Sequence, residues 1–175
     1  LSSRTNRQTM TEGGVLIVST VADVATDAVV EVLRRQGVPH HRVNTEDFPF
    51  QAPLALRFPD ADASFGGKAI APQSVWYRRV RSPTRLPDME VGIYDFCLRE
   101  NRAAFMGGLL ALDARWMSHP AAVWQAEFKP YQLREAAAVG LTIPRTLVSN
   151  DPDEIRRAHA AFGPLVVKAV SSGAL

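Results

Sequence analysis

The stretch that decides the fold is VLIVSTVADVATDAVVEVLRRQGVPHHRV, residues 15–43. Val15 to Val18 is wholly apolar and mostly β-branched, the pattern of a strand buried on both faces. Thr20-Val-Ala-Asp23 has the spacing of a helix capping box. Beyond it Ala25, Ala28, Val29, Val32 and Leu33 recur at i, i+3, i+4, i+7 and i+8, which marks one face of a helix. Arg34 and Arg35 complement the negative end of that helix, and Gly37 suits the position just past it. Val38 to Val43 reads as a second strand. Strand, helix and strand within roughly thirty residues make a βαβ unit, and so a parallel sheet and an α/β fold.

Outward from this unit the pattern is less regular. Pro49, Pro53, Pro59 and Pro72 punctuate the next segment, Gly66-Gly67 reads as a turn, and short strands are expected at Leu54–Phe58 and Ser74–Arg79. Asp88 to Ala114 reads as one long helix with Ile93, Cys97, Leu98, Phe105, Leu109 and Leu112 as apolar positions. Gly107 and Gly108 cost that helix propensity, so close packing or a kink is expected there. Arg115–Ser118 reads as a strand, and Pro120 starts a helix at its first position. Pro130 displaces its predecessor from helical geometry, which puts Lys129 at a break before a second helix from Tyr131 to Val139. Further strands are expected at Arg145–Val148 and Leu165–Val170. Between them Asp151-Pro152-Asp153-Glu154 supplies an N-cap, a proline and first-turn acids for a helix to Phe162. The change in composition near Ala114 divides the chain into a first domain, residues 10–114, and a second region, residues 115–175.

The composition, 46% hydrophobic and 22% charged over 175 residues, is that of a globular protein able to bury a core. Twenty basic against 18 acidic side chains leave a formal charge of only +2, which gives no electrostatic case for nucleic acid. The longest apolar run, Ala103 to Leu112, is about half of what a bilayer crossing needs. Leu1 to Thr9 is polar and basic without an apolar core, so it does not read as a secretory signal, and Met10 is a natural start. Cys97 is the single cysteine, which excludes a disulfide framework and a cysteine metal site. It is expected to be a buried small hydrophobe in a reducing cytoplasm.

Standard phosphate sites are missing. The turn after the first strand, Ser19 to Asp23, holds no glycine, so the dinucleotide fingerprint fails. The Walker pattern fails around Gly67-Lys68, and no serine-nucleophile elbow is present. His40 and His41 are adjacent and would point to opposite faces of a strand, so a hydrogen-bonded or solvated pair is expected rather than a metal site. Arg78, Arg79 and Arg81 form a basic cluster at a strand end; it could face an acidic peptide or a nucleotide, and a solvated surface is the expected reading. Two lysines have unusual settings: Lys129 at a helix break and Lys168 inside an apolar strand. A charge in such a strand is costly without a partner, and a phosphate chain would be one. The alternative is an edge-strand lysine that reaches to water.

The wider context is an ordered series: Glu100-Asn101; Trp116-Met-Ser-His-Pro120; Lys129-Pro-Tyr-Gln-Leu133 with Ala136; Gly140-Leu-Thr-Ile-Pro-Arg-Thr-Leu147; Asn150-Asp-Pro152; and Val166-Val-Lys168. With the Val15–Thr20 strand, Arg42-Val-Asn44 and Trp76-Tyr-Arg-Arg79, this series resembles the ATP-grasp ribosomal peptide maturases, the graspetide or microviridin-type ligases. The resemblance runs from Val15 to Val170. It implies a pre-ATP-grasp α/β domain over residues 10–114 and the first part of an ATP-grasp nucleotide-binding region over residues 115–175.

The resemblance also implies a function. Such an enzyme uses ATP and Mg²⁺ to activate a carboxylate of a precursor peptide as an acyl phosphate, which a hydroxyl or amine of the same peptide attacks to close an ω-ester or ω-amide ring. Lys129 and Lys168 match the superfamily's phosphate-contacting lysines, and that ATP-binding role is carried to them alone. No catalytic residue and no metal ligand is assigned. The family's magnesium ligands and glycine-rich lid are expected beyond Leu175, with only Ser171-Ser-Gly173 of the lid present, so the chain reads as a fragment or a degenerate copy, inactive alone. The precursor peptide is the expected partner, nucleic acid and membrane are not, a homodimer is left open, and the expected location is cytoplasmic. Two alternatives stand beside this reading: another ATP-grasp carboxylate–amine ligase, glutathione-synthetase-like or amino-acid-adding, and a non-catalytic domain that binds a peptide or partner.

Overall fold

The computed structural model describes residues 13–59 and 62–170. Met10 and the polar stretch before it, like Ser171-Ser-Gly173, lie outside the described residues. The chain divides into two compact units between His119 and Pro120.

The first unit is built on the βαβ motif. Strand β1 (Val15–Ser19) pairs in parallel with β2 (His40–Asn44) on one side and with β6 (Ser74–Tyr77) on the other. Strand β7 (Arg115–Met117) adds in parallel to β6, so the sheet order is β2-β1-β6-β7. Leu16, Ile17 and Val18 are fully buried, as a central parallel strand requires. Each such side chain contributes about 1.5–3 kcal/mol by leaving water. Beyond β2, the strands β3 (Leu54–Arg57), β4 (Asp62–Phe65) and β5 (Lys68–Ile70) form a separate antiparallel sheet. Gly66 and Gly67, with φ of +62° and +77°, make the two-residue hairpin between β4 and β5. The sequence marks that turn, but β4 and β5 are too short to announce themselves by periodicity.

Helix α1 (Val24–Arg35) differs from its sequence reading at two places. Its cap is Asp23, whose carboxylate accepts from the Thr26 amide at 3.2 Å, and not Thr20. Asp23 wins because an aspartate directly before the first helical residue reaches the first-turn amides. The packed face runs through Thr26, Val30 and Leu33, while Val29 and Val32 of the expected face are exposed. Capping by Asp23 and the buried Thr26 set the helix rotation, which apolar spacing alone does not. At the other end Gly37, φ +67°, receives the chain in a Schellman motif, with Val38 N–H on Leu33 O at 2.9 Å and Gly37 N–H on Arg34 O at 3.1 Å.

Helix α2 (Val91–Leu110) is unbroken through its glycine pair. A Cβ on Gly108 would stand 2.7 Å from Leu56 Cδ2 and 3.3 Å from Phe65 Cζ, so Gly108 is where α2 touches the antiparallel sheet; Gly107 faces open space. Phe105 joins the two parts of the core, with ring centroids 5.1 Å from Phe48 and 5.2 Å from Phe65. Cys97 is half-buried rather than buried, and lines an open groove of about 430 Å³ with Phe96, Ala104 and Pro53.

The described residues of the second unit hold three helices: α3 (Pro120–Ala126), α4 (Lys129–Ala138) and α5 (Pro152–Phe162). The break falls at Glu127 and Phe128, and Lys129 opens α4 with Pro130 behind it. Gly140, φ +83°, closes α4 in a second Schellman motif through Leu141 N–H on Ala136 O, 2.9 Å. Asp151 caps α5 by accepting from the Asp153 amide at 2.8 Å. The strands expected at Arg145–Val148 and Leu165–Val170 are absent among the described residues, and both segments are irregular. A strand exists only against a hydrogen-bonded neighbour, and neither segment pairs with another among the described residues. Val166 and Val167 are accordingly 83% and 90% exposed. Among the described residues of this unit only Pro120 and Ala158 are buried. No helix among the described residues is long and apolar enough to cross a membrane.

Candidate functional site

The connections out of β1 and β6 lead in opposite directions across the parallel sheet, because β1 is followed by β2 on one side while β6 is followed by β7 on the other. Open α/β sheets bind ligands beyond the carboxyl ends of two such strands. Ser19 ends β1 at this point, and Arg78 continues β6 by donating its amide to Val18 O at 3.0 Å. Asp23, almost fully buried, joins the two strands. Its Oδ2 accepts from Ser19 Oγ at 2.9 Å and from Arg78 Nε at 2.8 Å, and Arg79 Nε lies 3.8 Å from the same oxygen. Burial pushes the Asp23 carboxyl up, but the bonds from Arg78, Ser19 and Thr26 outweigh it and hold the group well below the usual carboxylate range.

The other side of the β1–α1 turn is tied down as well. Arg42 pairs with Asp27 at 2.5 Å and donates to the carbonyls of Thr20 and Val21. Glu46 accepts from the Val21 amide at 2.8 Å. The segment after β6 reaches across to the end of β2, where the Arg81 amide donates to Thr45 Oγ1 at 2.8 Å and that hydroxyl donates to Arg81 O at 3.0 Å. Two buried polar atoms, Thr20 Oγ1 and Glu46 Oε2, have no hydrogen-bond partner among the described residues. Leaving such an atom unpaired costs about 1–3 kcal/mol.

Arg78 therefore departs from the expected solvated cluster: its side chain is 28% exposed and bonded, while Arg79 remains 59% exposed. Ser19, Thr20 and Asp23 carry no site role in the sequence reading, which took Thr20 and Asp23 as a cap. The available signal was the polar turn after a buried parallel strand, together with arginines at a second strand end.

The two lysines singled out in the sequence both fall in the second unit. Lys129 is half-buried and its Nζ donates to Ala169 O, which brings the start of α4 against the residue beside Lys168. Lys168 is exposed and not in a buried strand. The reading of it as a charge stranded in an apolar strand is thus corrected: the segment makes no ladder, so the charge meets water.

The adjacent histidines point apart, with His40 Nδ1 2.9 Å from Val38 O and His41 Nε2 3.0 Å from Phe65 O. Burial lowers the pKa of His41 against the opposing effect of the Phe65 carbonyl. No group of three His, Cys, Asp or Glu side chains among the described residues converges as a metal would require.

Residues 14–124 match the family described as the MvdD pre-ATP grasp domain. The chain belongs to this family. Among solved structures, the pre-ATP-grasp chain is similar to macrocyclase MdnB from Microcystis aeruginosa MRC. Identity is 32% and the TM-score 0.76, over 85% of this chain and 51% of that one. Macrocyclase MdnC of the same organism, solved with precursor peptide MdnA, is 29% identical with a TM-score of 0.77 over the same 85% and 51%. The ATP-grasp ligase PsnB, solved with minimal precursor, Mg and ADP, is 27% identical with a TM-score of 0.73, over 92% of this chain and 56% of that one. Comparison with curated proteins finds no match. The chain spans about half the length of the solved relatives it matches. The pre-ATP-grasp match takes in the whole parallel sheet and its carboxyl edge, and leaves Lys129 and Lys168 outside.

Proposed function

We infer that this pre-ATP-grasp chain is part of an ATP-dependent ligase that joins side chains of a precursor peptide. The observation that carries the reading is the family match over residues 14–124, with its structural likeness to two macrocyclases and an ATP-grasp ligase. PsnB was solved with Mg and ADP, and MdnC with its precursor peptide, which supports ATP, magnesium and a peptide here. A peptide carboxylate oxygen takes the γ-phosphoryl group and ADP leaves; a hydroxyl or amine of the peptide then attacks the acyl carbon, phosphate departs with one former carboxylate oxygen, and an ω-ester or ω-amide remains. A cytoplasmic location fits the need for ATP.

In this account Lys129 and Lys168 hold the nucleotide phosphates. Their setting fits that role: one ammonium is fixed against Ala169 O and the other stands free to water one residue away. Bound ATP would supply the phosphoryl group, and the two lysines would orient its phosphates and offset the charge that develops. The described residues offer no cluster of three metal ligands.

The test uses the complete gene product and a precursor peptide with ¹⁸O in its side-chain carboxylates. Acyl phosphate chemistry predicts one ¹⁸O in the released phosphate for each ring closed. Ring closure with unlabelled phosphate would exclude it. Lys129→Met and Lys168→Met should each raise the ATP requirement or abolish product, about 10²-fold or more in rate if each steadies transition-state charge. Unchanged turnover and ATP dependence in both variants would remove the lysines from the site.

A further inference from the structure

Two guanidinium groups converge on a single carboxylate at the sheet's carboxyl edge. Arg78 gives only its Nε to Asp23, and its two terminal nitrogens meet no acceptor among the described residues. Trp76 lies beneath it, 5.6 Å from ring centroid to guanidinium carbon, which steadies the group through its face, and the Arg78 side chain keeps 28% of its surface exposed. Arg79 approaches the same Asp23 oxygen only to 3.8 Å, so its donors are largely unspent. Arg42 differs: it is consumed by Asp27 and two backbone carbonyls. On the turn between β1 and α1, Thr20 Oγ1 is buried and has no hydrogen-bond partner among the described residues.

We propose that this edge binds one side-chain carboxylate of an acidic peptide, with Arg78 and Arg79 as its anion-binding residues. The proposal rests on the reading of the chain as part of a precursor-peptide ligase. Charge favours a carboxylate over a nucleotide. Arg78, Arg79 and Asp23 leave one positive charge, which a single carboxylate neutralises. A triphosphate would bring several negative charges against Asp23, Asp27 and Glu46, with Arg42 already paired. Geometry agrees, since the planar outer edge of a guanidinium matches the two oxygens of a carboxylate. Location agrees as well, because the groups stand where the connections from β1 and β6 diverge. The sheet would thus present the peptide's acid at a fixed place, held by the Arg81–Thr45 tie on one side and the Asp23 bonds on the other.

The experiment titrates the 175-residue chain with an end-blocked tetraglutamate peptide, with its tetraglutamine counterpart, and with magnesium-free ATP. Backbone and arginine side-chain NMR signals report the site. The expected result is saturable shifts at Thr20, Arg78 and Arg79 with tetraglutamate, none with tetraglutamine, and affinity at least tenfold lower in Arg79→Gln. Arg79 is chosen because its exposed side chain can be changed while Asp23 keeps Arg78; unchanged β1 and β6 amide signals would verify the fold. Shifts centred elsewhere would sink the site and leave the peptide substrate standing. No tetraglutamate binding, or equal binding in Arg79→Gln, would also overturn the proposal, whereas the ¹⁸O experiment alone decides the ligase reading. Tighter binding of ATP than of tetraglutamate at these residues would make this a phosphate site and overturn the assignment to a peptide.

Discussion

Adjacent glycines in α2 should respond to alanine with opposite signs. Gly107 faces open space, whereas a Cβ on Gly108 meets Leu56 Cδ2 at 2.7 Å, Leu56 Cδ1 at 3.1 Å and Phe65 Cζ at 3.3 Å. Glycine costs a helix interior about 0.5–1 kcal/mol relative to alanine, so Gly107→Ala should stabilise by that amount. Gly108→Ala has the same helical gain, but Leu56 must move off its packed position, and overpacking of this kind costs about 1–3 kcal/mol. The two variants should therefore differ by about 1–3 kcal/mol, with Gly108→Ala the less stable. Urea unfolding followed by far-ultraviolet circular dichroism measures this, provided the m-value is unchanged. Leu56→Ala removes both clashing carbons, so in that background Gly108→Ala should lose most of its penalty, a coupling above about 0.5 kcal/mol. Equal stabilisation by both alanines, or additivity with Leu56→Ala, would refute the close approach of α2 to the antiparallel sheet.

The depressed pKa of Asp23 predicts acid sensitivity of known sign. Its stabilisation is present above the unfolded aspartate pKa of about 3.9 and is lost as pH falls toward the folded value. Asp23→Asn should flatten the stability curve in that acid window. His41, whose pKa burial lowers, adds an earlier loss: the unfolded chain protonates first below about 6.5, so stability should fall from there, and His41→Asn should remove that slope. A pH profile unchanged in both variants would contradict the two assignments. Finally, among the described residues the buried apolar side chains are in residues 16–109 apart from Pro120 and Ala158, so a chain ending at His119 should keep a single cooperative unfolding transition; non-cooperative melting of that fragment would show the first unit is not self-sufficient.

The parallel core was legible because its signals are local and strong. An apolar run at Val15–Val18, Gly37 at a positive φ, and prolines at Pro120 and Pro152 each specify backbone geometry within a few residues. The antiparallel sheet was not, since β4 and β5 hold four and three residues and their pairing is decided across the Gly66–Gly67 turn. The strand expected at Leu165–Val170 shows the reverse error: β propensity is present, but propensity forms no ladder without a neighbour. Likewise the site at the carboxyl edge needs Asp23 and Arg78, far apart in sequence, to meet through the pairing of β1 with β6. Arg78-Arg79 was visible as charge; that one of the pair is held by a buried aspartate could be seen only in the fold.

The most direct test of the central claim is to express the complete gene product with an acidic peptide encoded beside it, and to weigh the peptide afterwards. The expected result is that the peptide loses one water per crosslink, only when ATP is supplied to the purified enzyme, with one ADP formed for each water lost. A peptide of unchanged mass in the presence of enzyme, magnesium and ATP, across every acidic peptide encoded nearby, would contradict the assignment of this chain to a peptide-crosslinking ligase.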